Sequence, residues 1–234
     1  MPDSDDVILL FDCDNTLFDN DAVLEDLRSR MEHDFGKTDS DRYWAISETL
    51  RIELGYVDYL GAFQCFRRKD RSDTRVMRMS SFLIDYPFAG RVYPGALDAL
   101  RRLRAMGRTV IVSDGDAVFQ PHKIKRSGLW DEVRGRVLIY IHKETMLDEI
   151  ARCYPALRYV MVDDKLRILS AMKQSWGERL TTVFVRQGHY ARDPDVIAYP
   201  PADIVIEHIG DLSEAVLAAR SGSDRQSKFD KESS

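Results

Sequence analysis

Val7-Ile8-Leu9-Leu10-Phe11-Asp12-Cys13-Asp14-Asn15-Thr16-Leu17 carries most of the architectural information in this chain. The apolar run entering Asp12 is short and continuous, as expected for a central parallel strand over residues 7–12, buried on both faces. Side chains alternate along an extended strand, so Asp12 and Asp14 are expected on one side. Two carboxylates that close repel or share a cation, and without a cation each holds its proton more tightly. At the carboxyl end of a buried strand, one can attack a substrate while the other handles a proton. Asp-x-Asp alone says little; Asp-x-Asp-x-Thr-Leu behind an aliphatic run points to catalysis or metal binding.

The chain has 234 residues, 44% hydrophobic and 31% charged, with a net charge of -5. That is enough for one large domain, or one domain with an insertion, and the charge excludes nucleic acid as a bulk electrostatic partner. No apolar run reaches transmembrane length, and the acidic start Met1-Pro2-Asp3-Ser4-Asp5-Asp6 is wrong for a signal peptide. Cys13, Cys65 and Cys153 lack disulfide or metal spacing, so a cytoplasmic location with three buried or partly buried thiols is expected.

From about Asn20 to Tyr86 the pattern turns helical, with expected helices over roughly 21–35, 40–54, 57–69 and 73–85. Asn20 or Asp21 reads as the first N-cap and Ser40 as the second. After Pro87, strands at Thr109–Val112, Val137–Ile141, Tyr159–Val162, Thr182–Val185 and Ile204–Ile206 alternate with helices, the last near 211–219. Such alternation builds a parallel sheet through right-handed crossovers, with ligands beyond the carboxyl ends of its strands. The expected class is α/β, a Rossmann-like core (1–19 and 87–220) with a helical cap domain at 20–86 and a disordered tail at 221–234.

The strand ends collect the chemistry. The first delivers Asp12 and Asp14, the second Ser113 and Asp114, the third His142 and Lys143, the fourth Asp163 and Asp164. Clustered carboxylates call for a divalent cation, and an all-oxygen set suits Mg²⁺. A lysine and a hydroxyl beside backbone amides suit a phosphoryl group. Plainer readings stand beside these: Ser113 as a helix cap, Lys143 as a solvated lysine, Asp163 and Asp164 as turn acids.

In this order, Asp-x-Asp-x-Thr, strand-Ser, Lys and strand-Asp-Asp, the chain resembles the haloacid dehalogenase superfamily over about residues 7–218, in the branch with a helical cap between the first two motifs. The segment Val92-Tyr93-Pro94-Gly95-Ala96-Leu97 is similar to the approach to the second motif in that branch. The resemblance implies Asp12 as nucleophile and metal ligand, Asp14 as general acid/base with its carbonyl on the metal, and Lys143 as the balancing catalytic cation. It implies Thr16, Ser113 and Asp114 at the substrate, Thr16 by orienting the loop, and Asp163 and Asp164 at Mg²⁺. Two departures stand out. His142-Lys143-Glu144 replaces a common Lys-Pro, and Arg167 and Ile168 stand where many relatives carry a further aspartate.

A leaving halide needs no proton, whereas an alkoxide does, so Asp14 favours phosphoryl transfer over dehalogenation. The expected activity is a Mg²⁺-dependent phosphatase acting on a small phosphorylated metabolite, without nucleic acid or membrane partners. A phosphomutase and a non-catalytic phosphate-binding or regulatory protein stay open as alternatives. Asp114 and Asp116 read as loop acids, and His122 and His189 as satisfied or exposed histidines. The arginine-rich group Arg67, Arg68, Lys69, Arg71, Arg75 and Arg78 reads as a solvated face paired with Asp70 and Asp73. Tyr43, Trp44, Tyr56, Tyr59, Phe63 and Phe66 read mostly as core of the inserted helices.

Overall fold

The computed structural model describes residues 7–67 and 73–216. Strand β1 (Val7–Phe11) is buried along its whole length. Val7, Leu9 and Phe11 enter one core while Ile8 and Leu10 enter the other, as the two-residue period of a doubly covered strand requires. The remaining strands are β2 (Arg108–Asp114), β3 (Val137–Tyr140), β4 (Arg158–Asp163), β5 (Leu180–Val185) and β6 (Ile204–Ile206). All pairings are parallel, in the order β3-β2-β1-β4-β5-β6. β1 lies between β2 and β4, with Leu10 opposite Val110 on one side and Met161 on the other. The chain order reverses about β1, which opens a crevice at the carboxyl ends of β1, β2 and β4.

Between β1 and β2 the chain forms α1 (Asn20–Phe35), α2 (Lys37–Leu54), α3 (Tyr59–Phe66) and α4 (Thr74–Ile84). Asp19, not Asn20 or Asp21, caps α1 by accepting from Ala22 N at 3.0 Å. Ser40 caps nothing: α2 starts three residues earlier, directly after Gly36, and Ser40 is buried within it. Asp58 and Asp73 cap α3 and α4 through the amides of Gly61 and Arg75. Inside these helices Tyr43 stacks on Phe63 at 4.5 Å, and Phe66 meets Phe35 edge-on at 5.3 Å. That aromatic core is continuous with the sheet face through Phe18 and Phe88.

Beyond the insertion come α5 (Ala96–Leu103), α6 (Phe119–Arg126), α7 (Leu129–Glu132), α8 (Leu147–Cys153) and α9 (Leu166–Trp176). Helical backbone at 212–216 ends the described residues; the rest of the expected last helix, and the 221–234 tail, lie outside them. Cys13 is buried, but Cys65 and Cys153 are exposed, correcting the expectation for those two. Cys65 sits between the inward-facing Phe63 and Phe66 and therefore points off the packed side of α3. Among the described residues, no helix is long and apolar enough to cross a membrane.

Candidate active site

β1 stops at Phe11, and the chain turns sharply, with the amides of Thr16, Leu17 and Phe18 donating to Cys13 O. Asn15 takes the left-handed conformation (φ 61°), which a short amide side chain tolerates. Its Oδ1 accepts from the amides of Asn20 and Asp21, and its Nδ2 donates to Asp21 Oδ1 at 2.9 Å. Gly188 (φ 70°) packs so closely on this turn that a Cβ there would overlap the Asn15 side chain.

The turn gives the two acids of the first motif different partners. Asp12 joins Asp163 and Asp164, with one oxygen of each carboxylate lying within 4.8 Å of the others. Asp12 is 3% exposed and the other two are fully buried. Lys143, itself 1% exposed, donates to Asp12 Oδ1. Its Nζ also lies 2.8 Å from Asp163 Oδ2, at an angle outside hydrogen-bond geometry.

Burial raises the carboxyls of Asp163 and Asp164 above the usual value; for Asp164 the neighbouring charges of Asp163 and Asp12 add to it. Burial opposes the charge on Lys143, but the carboxylates of Asp12, Asp163 and Asp114 overcome it and hold the lysine above its ordinary value. Three carboxylates cluster at Lys143, with Lys165 also within their field, so acidic groups outnumber basic ones. Asp12 Oδ2, Asp163 Oδ2 and both Asp164 oxygens are buried without a hydrogen bond. These hard oxygen donors fit one divalent cation such as Mg²⁺.

Asp14 instead faces α6. Lys123 Nζ lies 2.5 Å from Asp14 Oδ1 and donates to Asn20 Oδ1 at 3.1 Å, while Gln120 Nε2 donates to Asp14 Oδ2 and to Ser113 Oγ. Lys123 is 1% exposed and Gln120 4%. Neither was expected at the site. The available signal was their i, i+3 spacing on one helix face beside the inward-facing Phe119 and Ile124.

Thr16 is fully buried, and its hydroxyl accepts from Asp164 N at 3.0 Å. It ties the loop after β1 to the loop after β4, in keeping with the loop-orienting part expected of it. Ser113 is buried beside Gln120, and it is Asp116 Oδ1 that accepts from the amides of Val118 and Phe119 where α6 begins. Asp114 Oδ1 accepts from Lys143 N at 2.7 Å, fixing the loop that delivers the lysine.

A cavity of about 480 Å³ opens above this centre. Asp14, Asp114 and Lys165 form part of its wall, while Asp12, Lys143, Asp163 and Asp164 are buried next to these residues in the chain or in contact with them. The inserted helices contribute Arg51, Gly55, Tyr56 and Tyr59, and the loop after β5 contributes His189 and Tyr190. Gly55 (φ 80°) brings the α2–α3 turn onto the β3 loop: a Cβ there would lie 3.0 Å from Ile141 Cγ2. His189 contacts Asp21 Oδ1 at 2.7 Å, and His122 contacts Ile84 O, so both histidines are partnered. Arg67, Arg75 and Arg78 stay off the cavity, with Arg75 paired to Asp73 and stacked over Phe35. Arg68, Lys69, Asp70 and Arg71 lie outside the described residues.

A family model for haloacid dehalogenase-like hydrolases matches residues 8–175. A protein of Burkholderia xenovorans LB400, crystallised as a haloacid dehalogenase-like hydrolase, is 70% identical; the match covers 89% of this chain and 98% of that one, with a TM-score of 0.83. L-2-haloacid dehalogenase of Xanthobacter autotrophicus (16% identity, 89% and 97% covered, TM-score 0.59) shares the fold. So does the magnesium-bound HAD-hydrolase YfnB of Bacillus subtilis (18% identity, 88% and 96% covered, TM-score 0.58). No curated protein matches the chain.

Proposed function

Because the chain belongs to the haloacid dehalogenase-like hydrolases, we propose that it is a Mg²⁺-dependent phosphatase of a small phosphorylated metabolite. The fold does not choose between reactions, since its neighbours include both a dehalogenase and a magnesium-bound hydrolase. The observation that carries the reading is the set of unbonded carboxylate oxygens on Asp12, Asp163 and Asp164. Displacement of a halide by a carboxylate gives buried acids at 163 and 164 no cation to hold. A phosphate ester brings negative charge that must be offset before a carboxylate can approach.

In this reading an Asp12 oxygen attacks phosphorus, and the bond from phosphorus to the leaving oxygen breaks. That oxygen takes a proton from Asp14, whose carboxyl is part of the cavity wall. Asp14 then takes a proton from water as the water oxygen attacks phosphorus, freeing phosphate and restoring Asp12. Mg²⁺, held by Asp12, Asp163 and Asp164, would neutralise phosphoryl charge. Lys143 holds Asp12 in place, and Ser113 with the amide of Asp114 receives phosphoryl oxygens. The four helices between β1 and β2 would act as a cap that excludes bulk water. The test is phosphate release from a panel of phosphorylated metabolites and an aryl phosphate, with Mg²⁺ or EDTA, run beside halide release from 2-haloacids. Halide release without metal, and no phosphate release, would replace the reading with dehalogenation.

Lys123 acts in this scheme by positioning Asp14. Lys123→Met is expected to lower kcat about 10²-fold, within the usual range for a general acid, while KM changes little. The loss should be larger for alkyl than for aryl phosphates, because an aryl oxide leaves without needing a proton. Equal losses on both would limit Lys123 to a structural part.

Metal binding should also follow pH. The folded-state pKa of Asp163 is raised to about 6, above its unfolded value near 4. The folded chain therefore holds more protons in that interval, and metal-free stability falls as pH rises through it. Mg²⁺ competes with those protons, so its stabilisation should grow from pH 5 to pH 7.5. At a hundredfold over Kd the gain is about 2.7 kcal/mol, or roughly 5–10 °C in melting temperature for a chain of this size. Thermal unfolding in Mg²⁺ and in EDTA at the two pH values checks it.

A further inference from the structure

Four lysines or arginines form part of the cavity wall: Arg51, Lys123, Lys165 and Arg167. Three already have a carboxylate. Arg51 is bidentate on Glu48, Lys123 is on Asp14, and Arg167 is on Glu144 at 2.8 Å. Lys165 differs. Its ammonium lies 4.5 Å from the centre of the Tyr190 ring and has no ion pair or hydrogen bond among the described residues. Of the wall acids, Asp14 is on Lys123, Asp114 takes the amide of Lys143, Asp116 accepts from the amides of Val118 and Phe119, and Asp193 accepts from Asp195 N, while the Asp195 carboxylate makes no ion pair with Lys165.

The backbone at Lys165 is fixed, since its amide donates to Asp163 Oδ1 at 2.8 Å and the residue is the N-cap of α9. Lys165 shares the wall with Asp14, the residue proposed to meet the leaving oxygen, whereas Lys143 is at Asp12. Lys165 and Tyr190 thus line the same cavity as the residue assigned to the leaving oxygen. A partly buried ammonium whose partner is an aromatic face gains most from an anion delivered by a ligand.

Resting on the phosphatase reading, we propose that Lys165, steadied by Tyr190, binds a second anionic group on the substrate, a carboxylate or second phosphate on the part that leaves. The ligand class is thus a phosphate ester with a further negative charge. Neutral alcohol phosphates would leave Lys165 unanswered.

Binding can be read apart from turnover in Asp12→Asn protein with Mg²⁺, by calorimetry with two matched pairs. One is 3-phosphoglycerate against glycerol 3-phosphate, which differ by a carboxylate in place of a hydroxymethyl group. The other is fructose 1,6-bisphosphate against fructose 6-phosphate. The expected result is tighter binding of the more anionic member of at least one pair, by about ten- to a hundredfold, as for a charge-assisted hydrogen bond. Which pair discriminates names the anion. Adding Lys165→Met should collapse the preference to within about threefold, and Lys165→Arg should keep most of it. No preference in either pair, or equal weakening of both members by Lys165→Met, overturns the proposal. Phosphate release by the wild type decides the phosphatase reading separately: preference without turnover would keep Lys165 as an anion site while removing the reaction assigned to it.

Discussion

Asp12→Asn is expected to abolish phosphate release, lowering kcat by at least about 10⁴-fold, as loss of a nucleophile does elsewhere. Asparagine is nearly the same size but is neutral, and its amide does not attack phosphorus. The fold should survive. Asp12 is one of the charges that raise Asp163 and Asp164, so its removal relieves repulsion in a buried cluster. Lys143 keeps Asp163 as a partner at 2.8 Å. The melting temperature in EDTA should therefore hold or rise, most clearly at neutral pH where the remaining acids are most ionised. Phosphate release and thermal unfolding on the same preparation check both halves. Substantial turnover in a well-folded Asp12→Asn protein would move the nucleophile elsewhere.

Lys143→Met is expected to do the opposite, costing activity and stability together. The lysine is the only cation in contact with Asp12 and Asp163 among the described residues, and all three side chains are nearly or fully buried. Removing one partner from a buried ion pair costs about 3–5 kcal/mol, because the charge left behind has neither water nor a counterion. For a chain of this length that is roughly 6–20 °C in melting temperature. The deficit should shrink at pH 5, since a protonated carboxyl needs no counterion, and widen towards pH 8. Mg²⁺ should restore part of it by supplying positive charge to the same oxygens. Phosphate release should fall by about 10³-fold, the scale of losing one preorganised electrostatic partner. A variant as stable as the wild type at pH 8 in EDTA would mean that Asp12 and Asp163 are not both ionised in the folded protein.

The strands and their carboxyl-end residues were legible because each rests on a local pattern. Four or five apolar residues in a row make a strand buried on both sides, and the polar residue that ends the run must come out at the sheet edge. Asp12, Ser113, Asp163 and Asp164 were found this way, and Lys143 by its place just after the third strand. Helix boundaries were less legible, since Ser40 has a cap's chemistry yet sits inside α2, where packing outweighs local preference.

What stayed hidden were the pairings that do not follow from the strand ends. Lys123 reaches Asp14 across 109 residues; its place on the Phe119–Ile124 face of α6 separates it from the exposed Lys125, but only the packing of that helix decides which carboxylate it meets. The Asp12–Asp14 spacing carried no sign that β1 would end at Phe11 and turn through Asn15, sending one acid to the buried triad and the other to the cavity wall. Local order is set by side-chain pattern and backbone sterics, which act over a few residues. Which charges meet, and which one is left facing a cavity without a partner, is set by burial, and burial exists only once the elements have packed.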